Sequence, residues 1–549
     1  MKKLWYCLTV MSFASMLVLV SCQNKMAEPA NVDLKEISSS ANNYRVASDN
    51  QVVLGKKFEN PYEVKVMQKA FETISSKTNS KVSSSKSPVR TTHHYVRFLP
   101  KDWKEYDALK ADTSLILYDT PLDYEILLHG NKYHDASVCD TCPTWQYTAL
   151  KIDKKLKIKI KQEKLSDLYI PETDSDLAKL NIKERVSGKS FLDALLDEAM
   201  IMTKNYSDTL NTKKTKGGKV AWNPSGTIRV FDTRLQTLIP LVGVEIRARR
   251  WFTTHIVSTD QNGFYYSPWG FDRPANYSLY FQTWAFDVRT GTFGQAWIDG
   301  PKQDSPWDLD IQDGVDRFYS HVFRGAYRYN FGDVGGLKRP YLVGFAIKYA
   351  AYDQSGQSQG VNIGNWSFFN INPNILIYRF NGGVEYNSDE IFSTTCHETC
   401  HTTHVLVMNA GYIQYSQIIP EIYESWPTAV EWFITQKEYQ ERGIGNYATP
   451  FYVVGAGFPI ERGHQRWRYG INQNYYSCVF IDLIDNFNQA GQYQGFNTLT
   501  DNVTGYTMSG IESGFLKYVY GFSSLRDQLK ANKPSGVTDA QIDEMINQY

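Results

Sequence analysis

TTCHETCHTTH, residues 394–404, gathers three of the chain's ten histidines and two of its seven cysteines into one short run. Asn387 followed three residues later by Glu390 is a helix-start signature, and Asn409 to Gly411 is a stop, so the run is predicted to lie within one helix of about twenty residues. Residues four apart share a helical face, so His397 and His401 direct both imidazoles at one point. Glu398 lies beside them, about 100° around the helix. His404 follows on the same stripe but roughly 10 Å farther along the axis, too far to meet both other histidines, and is assigned to packing or support. Cys396 and Cys400 occupy an adjacent stripe, where buried thiols pack as small hydrophobes. As ligands they would instead close the site.

His397-Glu398-Thr399-Cys400-His401 is an HExxH pattern. Two neutral imidazoles at this spacing suit a zinc ion with an open coordination position, and the intervening carboxylate serves as a base, not a ligand. With so few histidines, a chance HExxH has odds on the order of one in a hundred. A haem attachment would need C-x-x-C-H, and Cys396…Cys400-His401 has one residue too many.

A third ligand must come from elsewhere. The metzincin continuation is absent, because its Gly and His positions hold His404 and Val407. PEIYESWPTAVEWFITQKEY (420–439) offers two glutamates, Glu421 and Glu424, with Glu431 seven residues after the second. This segment resembles the NEGFAxYxE helix of the gluzincin metallopeptidases, whose first glutamate is the third zinc ligand. The resemblance assigns that role to Glu424, 23 residues past His401, with Glu421 as the competing candidate. Pro427 departs from the family pattern. Having no N–H, it prefers the first turn of a helix, which predicts a helix start close to Glu424 and leaves Glu421 at or before the cap. Downstream, ERGHQRWRYG (461–470) supplies His464 and Tyr469 as donors to a tetrahedral oxyanion, with a solvated Arg-rich turn as the plainer reading.

The N-terminus sets the compartment. Lys2 and Lys3 precede an apolar run too short to span a bilayer, and Leu19-Val20-Ser21-Cys22 ends it. This resembles the bacterial lipoprotein box, which implies lipid on Cys22 and an extracytoplasmic, membrane-anchored chain. Gln23, in place of the Asp that retains such proteins at the inner membrane, implies the outer membrane or cell surface. Lys+Arg and Asp+Glu both number 58, so no charge excess points to a nucleic-acid partner. In an oxidising compartment Cys139 and Cys142 of CDTC are expected to form a local disulfide.

Five segments follow from composition and periodicity. They are a signal peptide (1–22), a Ser/Lys-rich tether with a short helix (23–92), an N-terminal α+β unit (93–218), a β-sandwich (219–303) and a C-terminal α+β unit carrying HExxH (304–549). In the N-terminal unit, SLILYDTPL (114–122) and ALKIDKKLKIKI (149–160) read as strands. PLVGVEIRA (240–248) with STDQNGFYY (258–266) resembles the carboxypeptidase-regulatory-like, transthyretin-like sandwich, an accessory module without catalytic residues. RPYLVGFAIKYAAYD, VNIGNWSFF and NILIYRF read as strands, YYSCVFIDLIDNF as a core helix and VTDAQIDEMINQY as a closing amphipathic helix.

The whole is a multidomain α+β chain: an N-terminal α/β unit, a transthyretin-like sandwich and a zincin-type domain. The gluzincin resemblance, over residues 390–435, implies a peptidase that acts on peptide or protein substrates. His397, His401 and Glu424 would hold Zn2+, and Glu398 would work the water. The alternative is a non-catalytic surface lipoprotein that binds peptide or glycan on a peptidase-like scaffold.

Overall fold

A computed structural model describes residues 49–77, 87–174, 190–206, 222–340, 346–356, 359–362, 374–408, 416–444, 477–486, 488, 490 and 499–549. The chain is mixed α+β and builds several separate sheets. No described helix is long and apolar enough to cross a membrane.

The first unit contains β1 (Val53–Lys57), α1 (Val64–Lys77), β2 (His93–Leu99), α2 (Trp103–Lys110), β3 (Tyr124–Leu128), β4 (Gln146–Lys151), β5 (Lys161–Leu168) and α3 (Phe191–Met202). β1 pairs with β3, and β2 is flanked by β4 and β5, all antiparallel. The tether expected over 23–92 is therefore corrected over 49–77 and 87–92, its short helix being α1, while 23–48 and the Ser/Lys-rich run 78–86 lie outside the described residues. Met67, Ala70, Phe71 and Ile74 of α1 share a core with Leu195, Leu196, Ala199 and Met200 of α3. Their spacing makes a single apolar stripe that cannot stay in water. Two expected strands are also corrected. SLILYDTPL forms only an isolated bridge, Tyr118 to Tyr147. In ALKIDKKLKIKI the strand stops at Lys151, and Leu156, Ile158 and Ile160 pack on Val96, Phe98, Leu109 and Leu150 without joining a ladder. Period two there reports one-sided burial, not pairing. Cys139 and Cys142 are joined in a disulfide.

The middle of the chain supplies β6 (Ser225–Asp232), β7 (Thr237–Pro240), β8 (Glu245–Arg250), β9 (Thr253–Ser258), β10 (Phe264–Tyr266), β11 (Ala275–Tyr280), β12 (Phe286–Thr290), β13 (Trp297–Gln303) and β14 (Leu309–Ile311). β6 pairs with β7, β10 and β14, while β13-β11-β8-β9 forms a second sheet. Ile228, Val230, Ile246, Tyr277, Leu279 and Ile298 of the two sheets meet in one core. The DQNG turn is held by Asp260, whose carboxylate accepts from the N–H groups of Asn262 (2.8 Å) and Phe264 (2.9 Å), with Gly263 at φ +72°.

A five-stranded sheet follows, made of β12, β15 (Ile347–Ser355), β16 (Gly360–Asn362), β17 (Ile375–Asn381) and β18 (Val384–Glu385). β12-β15-β17 run parallel, and β16 lies antiparallel to β17 at the edge. Residue 303 is accordingly not a boundary. β12 precedes it yet belongs to this sheet, and β14 follows it yet runs parallel to β6. One core reaches from Ile228 to Ile391. The first unit docks on the outer side of β8. There Arg247 donates to the Leu117 carbonyl (2.9 Å) and lies 3.6 Å over the Tyr280 ring, and Asp107 of α2 pairs with Arg289 (2.7 Å) and Lys348 (2.6 Å).

Three helices carry the rest: α4 (Gly314–Phe331), α5 (Ser388–Met408) and α6 (Pro420–Glu441). The α5 start is pinned twice. The Asn387 N–H donates to Glu390 (2.7 Å), and Ser388 and Thr233 exchange N–H to hydroxyl bonds (2.8 and 2.9 Å). Beyond them, α7 (Val479–Asp482), α8 (Met508–Gly514), α9 (Phe522–Ala531) and α10 (Asp539–Ile546) close the C-terminal core. Of the helix expected over 475–487, the described residues 477–486 form only the four residues of α7, and the expected closing helix is α10 with a Thr538–Gln541 capping box.

α4 packs tightly on α5 at Gly325. A Cβ there would stand 2.8 Å from both the Phe392 carbonyl oxygen and the Thr395 Cβ. Backbone cannot yield as a flexible side chain does, so Gly325→Ala is expected to destabilise the protein by about 1–3 kcal/mol, read as a lower midpoint in urea unfolding.

Candidate metal centre

α5 and α6 pack face to face, and the helical period of each decides which side chains meet. On α5 His397 and His401 are one turn apart, with ring centroids separated by 5.1 Å. On α6 Glu424 and Glu431 are seven residues apart and so share the face turned to α5. Glu424 Oε2 lies 3.3 Å from His397 Nε2 and 3.6 Å from His401 Nε2. The three residues bring one ligand atom each to within 4.8 Å of one another. Glu421 is not among them; it sits in the first turn of α6, about 4.5 Å back along the axis.

The expected start of α6 near Glu424 is corrected. Pro420 takes the first-turn position that suits a proline, and Pro427 lies inside the helix. There it contributes no N–H to the carbonyl of Tyr423. Tyr423 in turn stacks on His401, with 4.5 Å between ring centroids and 27° between planes.

Glu431 completes the arrangement. His397 Nδ1 donates to its carboxylate at 2.8 Å, so that loss of the Nε2 proton, which faces Glu424, would leave the Nε2 lone pair aimed at the point where the ligand atoms converge. The sequence showed Glu431 only as a spacing. Its partner becomes evident once α6 is laid on α5. Two residues of β16 also bear on the site without any sequence signal. Asn362 donates to the Glu398 carbonyl (2.6 Å) and to the Thr402 hydroxyl (3.2 Å). Gly360 faces the Glu398 side chain, and a Cβ there would lie 2.8 Å from its Cγ and Oε1. The bare backbone of the edge strand thus lets the Glu398 carboxylate occupy its place.

The electrostatics are those of negative charge gathered in a dry space. Burial pushes Glu398 up to about 8; the charge of His397 opposes this, and Glu424 and Glu431 add to it. For His397, burial favours the neutral ring, but hydrogen bonds to Glu424 and Glu431 outweigh it and hold the proton well above the usual range. Burial pushes His401 down, and Glu424 does not fully restore it. Burial acts upward on Glu424, yet its bonds to the two imidazoles win and keep its carboxylate well below the usual range. Two imidazole nitrogens and one carboxylate oxygen, amid further carboxylates, are the donor set that zinc takes in three-ligand sites.

The remaining candidates separate cleanly. His404 is buried outside the cluster and driven down to about 3 by burial. Cys396 and Cys400 are buried free thiols; Cys396 Sγ points to the Gly325 carbonyl of α4 at 3.8 Å. His464, Tyr469 and Cys22 lie outside the described residues. A second cluster of carboxylates, Asp482, Asp485 and Asp501, has no imidazole, and Tyr549 donates to Asp482 within it. Comparison with protein-family models, with curated proteins and with solved structures finds no match.

Zinc titrations check the donor set. Glu424→Ala is expected to weaken binding on the order of 100-fold or more, Glu431→Gln by about 10- to 100-fold, and Glu421→Ala not at all. Because His397 must lose a proton it holds above its ordinary range, affinity should rise with pH through neutrality. Calorimetry in buffers of different ionisation enthalpy would register that released proton.

Proposed function

We propose that the chain is a zinc-dependent metallopeptidase of gluzincin type, held outside the cytoplasm of a bacterium by lipid on Cys22. The observation that carries this reading is the convergence of His397, His401 and Glu424 on one point, with Glu398 beside it in HExxH register. In this reading the five-stranded sheet with α4, α5 and α6 is the zincin-type domain, and the paired four-stranded sheets are the carboxypeptidase-regulatory-like accessory module.

Zinc bound by these three residues would polarise a scissile carbonyl and lower the pKa of water toward ~7. Glu398 is the general base. Its high proton affinity in the dry site suits it to take a proton from the attacking water and deliver it to the departing amine. Glu431 fixes the His397 ring, and Tyr423 backs the ring of His401. His464 is retained as the oxyanion donor of the proposal.

Glu398→Gln is expected to lower peptide hydrolysis by about 10²- to 10⁴-fold while zinc content stays at one equivalent. Gly360→Ala should lower kcat with metal affinity little changed, because the added methyl displaces Glu398 and no ligand. Zinc retained by wild type with no chelator-sensitive cleavage of any peptide in a broad library would favour the binding-protein alternative.

A further inference from the structure

We infer that the lysine-rich segment 151–164 is a docking surface for an anionic lipid bilayer. These fourteen residues hold seven lysines against two carboxylates, in a chain whose total charge balances. The segment leaves β4, crosses open surface and enters β5. Lys155, Lys157, Lys159 and Lys161 are exposed, and they alternate with half-buried Leu156, Ile158 and Ile160, whose inner sides pack on Phe98 and Leu109. The packing fixes the alternation, so the ammonium groups form a comb on one side.

The charges are largely uncompensated. Lys154 pairs with Asp112 (2.9 Å), Lys164 with Asp167 (3.1 Å), and Lys161 lies 5.3 Å over the Trp145 ring. Among the described residues, no carboxylate lies within ion-pair distance of Lys151, Lys155, Lys157 or Lys159. Beside them opens a groove of about 580 Å³, lined half by Leu150, Leu156, Ile158 and Ile160 and half by Lys154, Lys159, Lys161 and Gln162. Ile152 projects next to it, 55% exposed.

Two features select a bilayer. Exposed charges act only within about 8–10 Å at ordinary salt, so a row of lysines requires a dense array of anions facing it. A soluble polyanion offers the same density but nothing for aliphatic side chains. Ile152 and the aliphatic half of the groove match the apolar layer beneath lipid headgroups, and its lysines match the headgroups themselves, where a basic, partly apolar surface seats. The lipid predicted on Cys22 would bring the chain to such a surface, and a lipid with a polybasic patch is a pairing that gives stable attachment.

The test is co-sedimentation of the chain from residue 23, without lipid. Vesicles of phosphatidylcholine with 30% phosphatidylglycerol are compared with pure phosphatidylcholine, at low and high salt, with the 30% an arbitrary anionic load of roughly physiological order. Binding is expected only to the anionic vesicles and to fall with salt. Lys155→Ser/Lys157→Ser/Lys159→Ser should lose about 100-fold in partitioning, at about five-fold per lysine, with its unfolding midpoint unchanged. Ile152→Ser should weaken binding without altering its salt dependence. Equal binding by the triple variant, or equal binding to neutral vesicles, would overturn the proposal. So would lysine-dependent capture of dextran sulfate by a chain that ignores vesicles, since the partner would then be a soluble polyanion.

Discussion

Everything around the candidate centre follows from burying carboxylates between two helices. Glu424 faces both imidazoles, Glu431 bonds His397, and the Glu398 carboxylate between them accepts from the Asn362 backbone N–H. An unpaired buried carboxylate costs several kcal/mol, so such an interface persists only if each charge has a partner within reach. His397 shows the constraint most plainly. One ring nitrogen faces Glu424 and the other faces Glu431, and the proton it keeps places a positive charge between those two carboxylates. A divalent cation would answer the same need more completely.

The fold holds the two helices to this task from behind. Asp232, fully buried at the end of β6, accepts from Arg324 of α4 (3.0 Å) and from the Tyr439 hydroxyl of α6 (2.8 Å). Arg324 also reaches Glu438 (3.0 Å), so β6, α4 and α6 share one hydrogen-bonded node. Buried ion pairs of this kind contribute little net stability but allow few alternative registers. Register matters here, since a one-residue rotation of α6 would turn Glu424 and Glu431 by about 100° away from α5. Gly325 sets the opposite boundary by letting α4 approach the α5 backbone.

Much of the centre was legible in the sequence because helical contacts are local. Four residues between histidines and seven between glutamates fix faces regardless of tertiary context. Pro427 misled the placement of the α6 start because Pro420 already filled the first turn, a competition no single-residue preference resolves. The domain boundary at 303 failed for a different reason. Parallel pairing of β12 with β15 joins segments about sixty residues apart, and no local pattern records it. The short helix α1 was legible in the sequence, but its packing on α3 was not, because the partner lies about 120 residues farther along the chain. Gly360 and Asn362 could not be found from sequence, since their significance lies in where an edge strand crosses α5.

The central claim is that imidazole and carboxylate, not thiolate, hold the ion. X-ray absorption at the zinc edge of the loaded protein tests it directly. The account predicts a nitrogen and oxygen shell at about 2.0–2.1 Å with imidazole scattering and no sulfur. A zinc–sulfur shell near 2.3 Å would put Cys396 or Cys400 in the site and contradict the account.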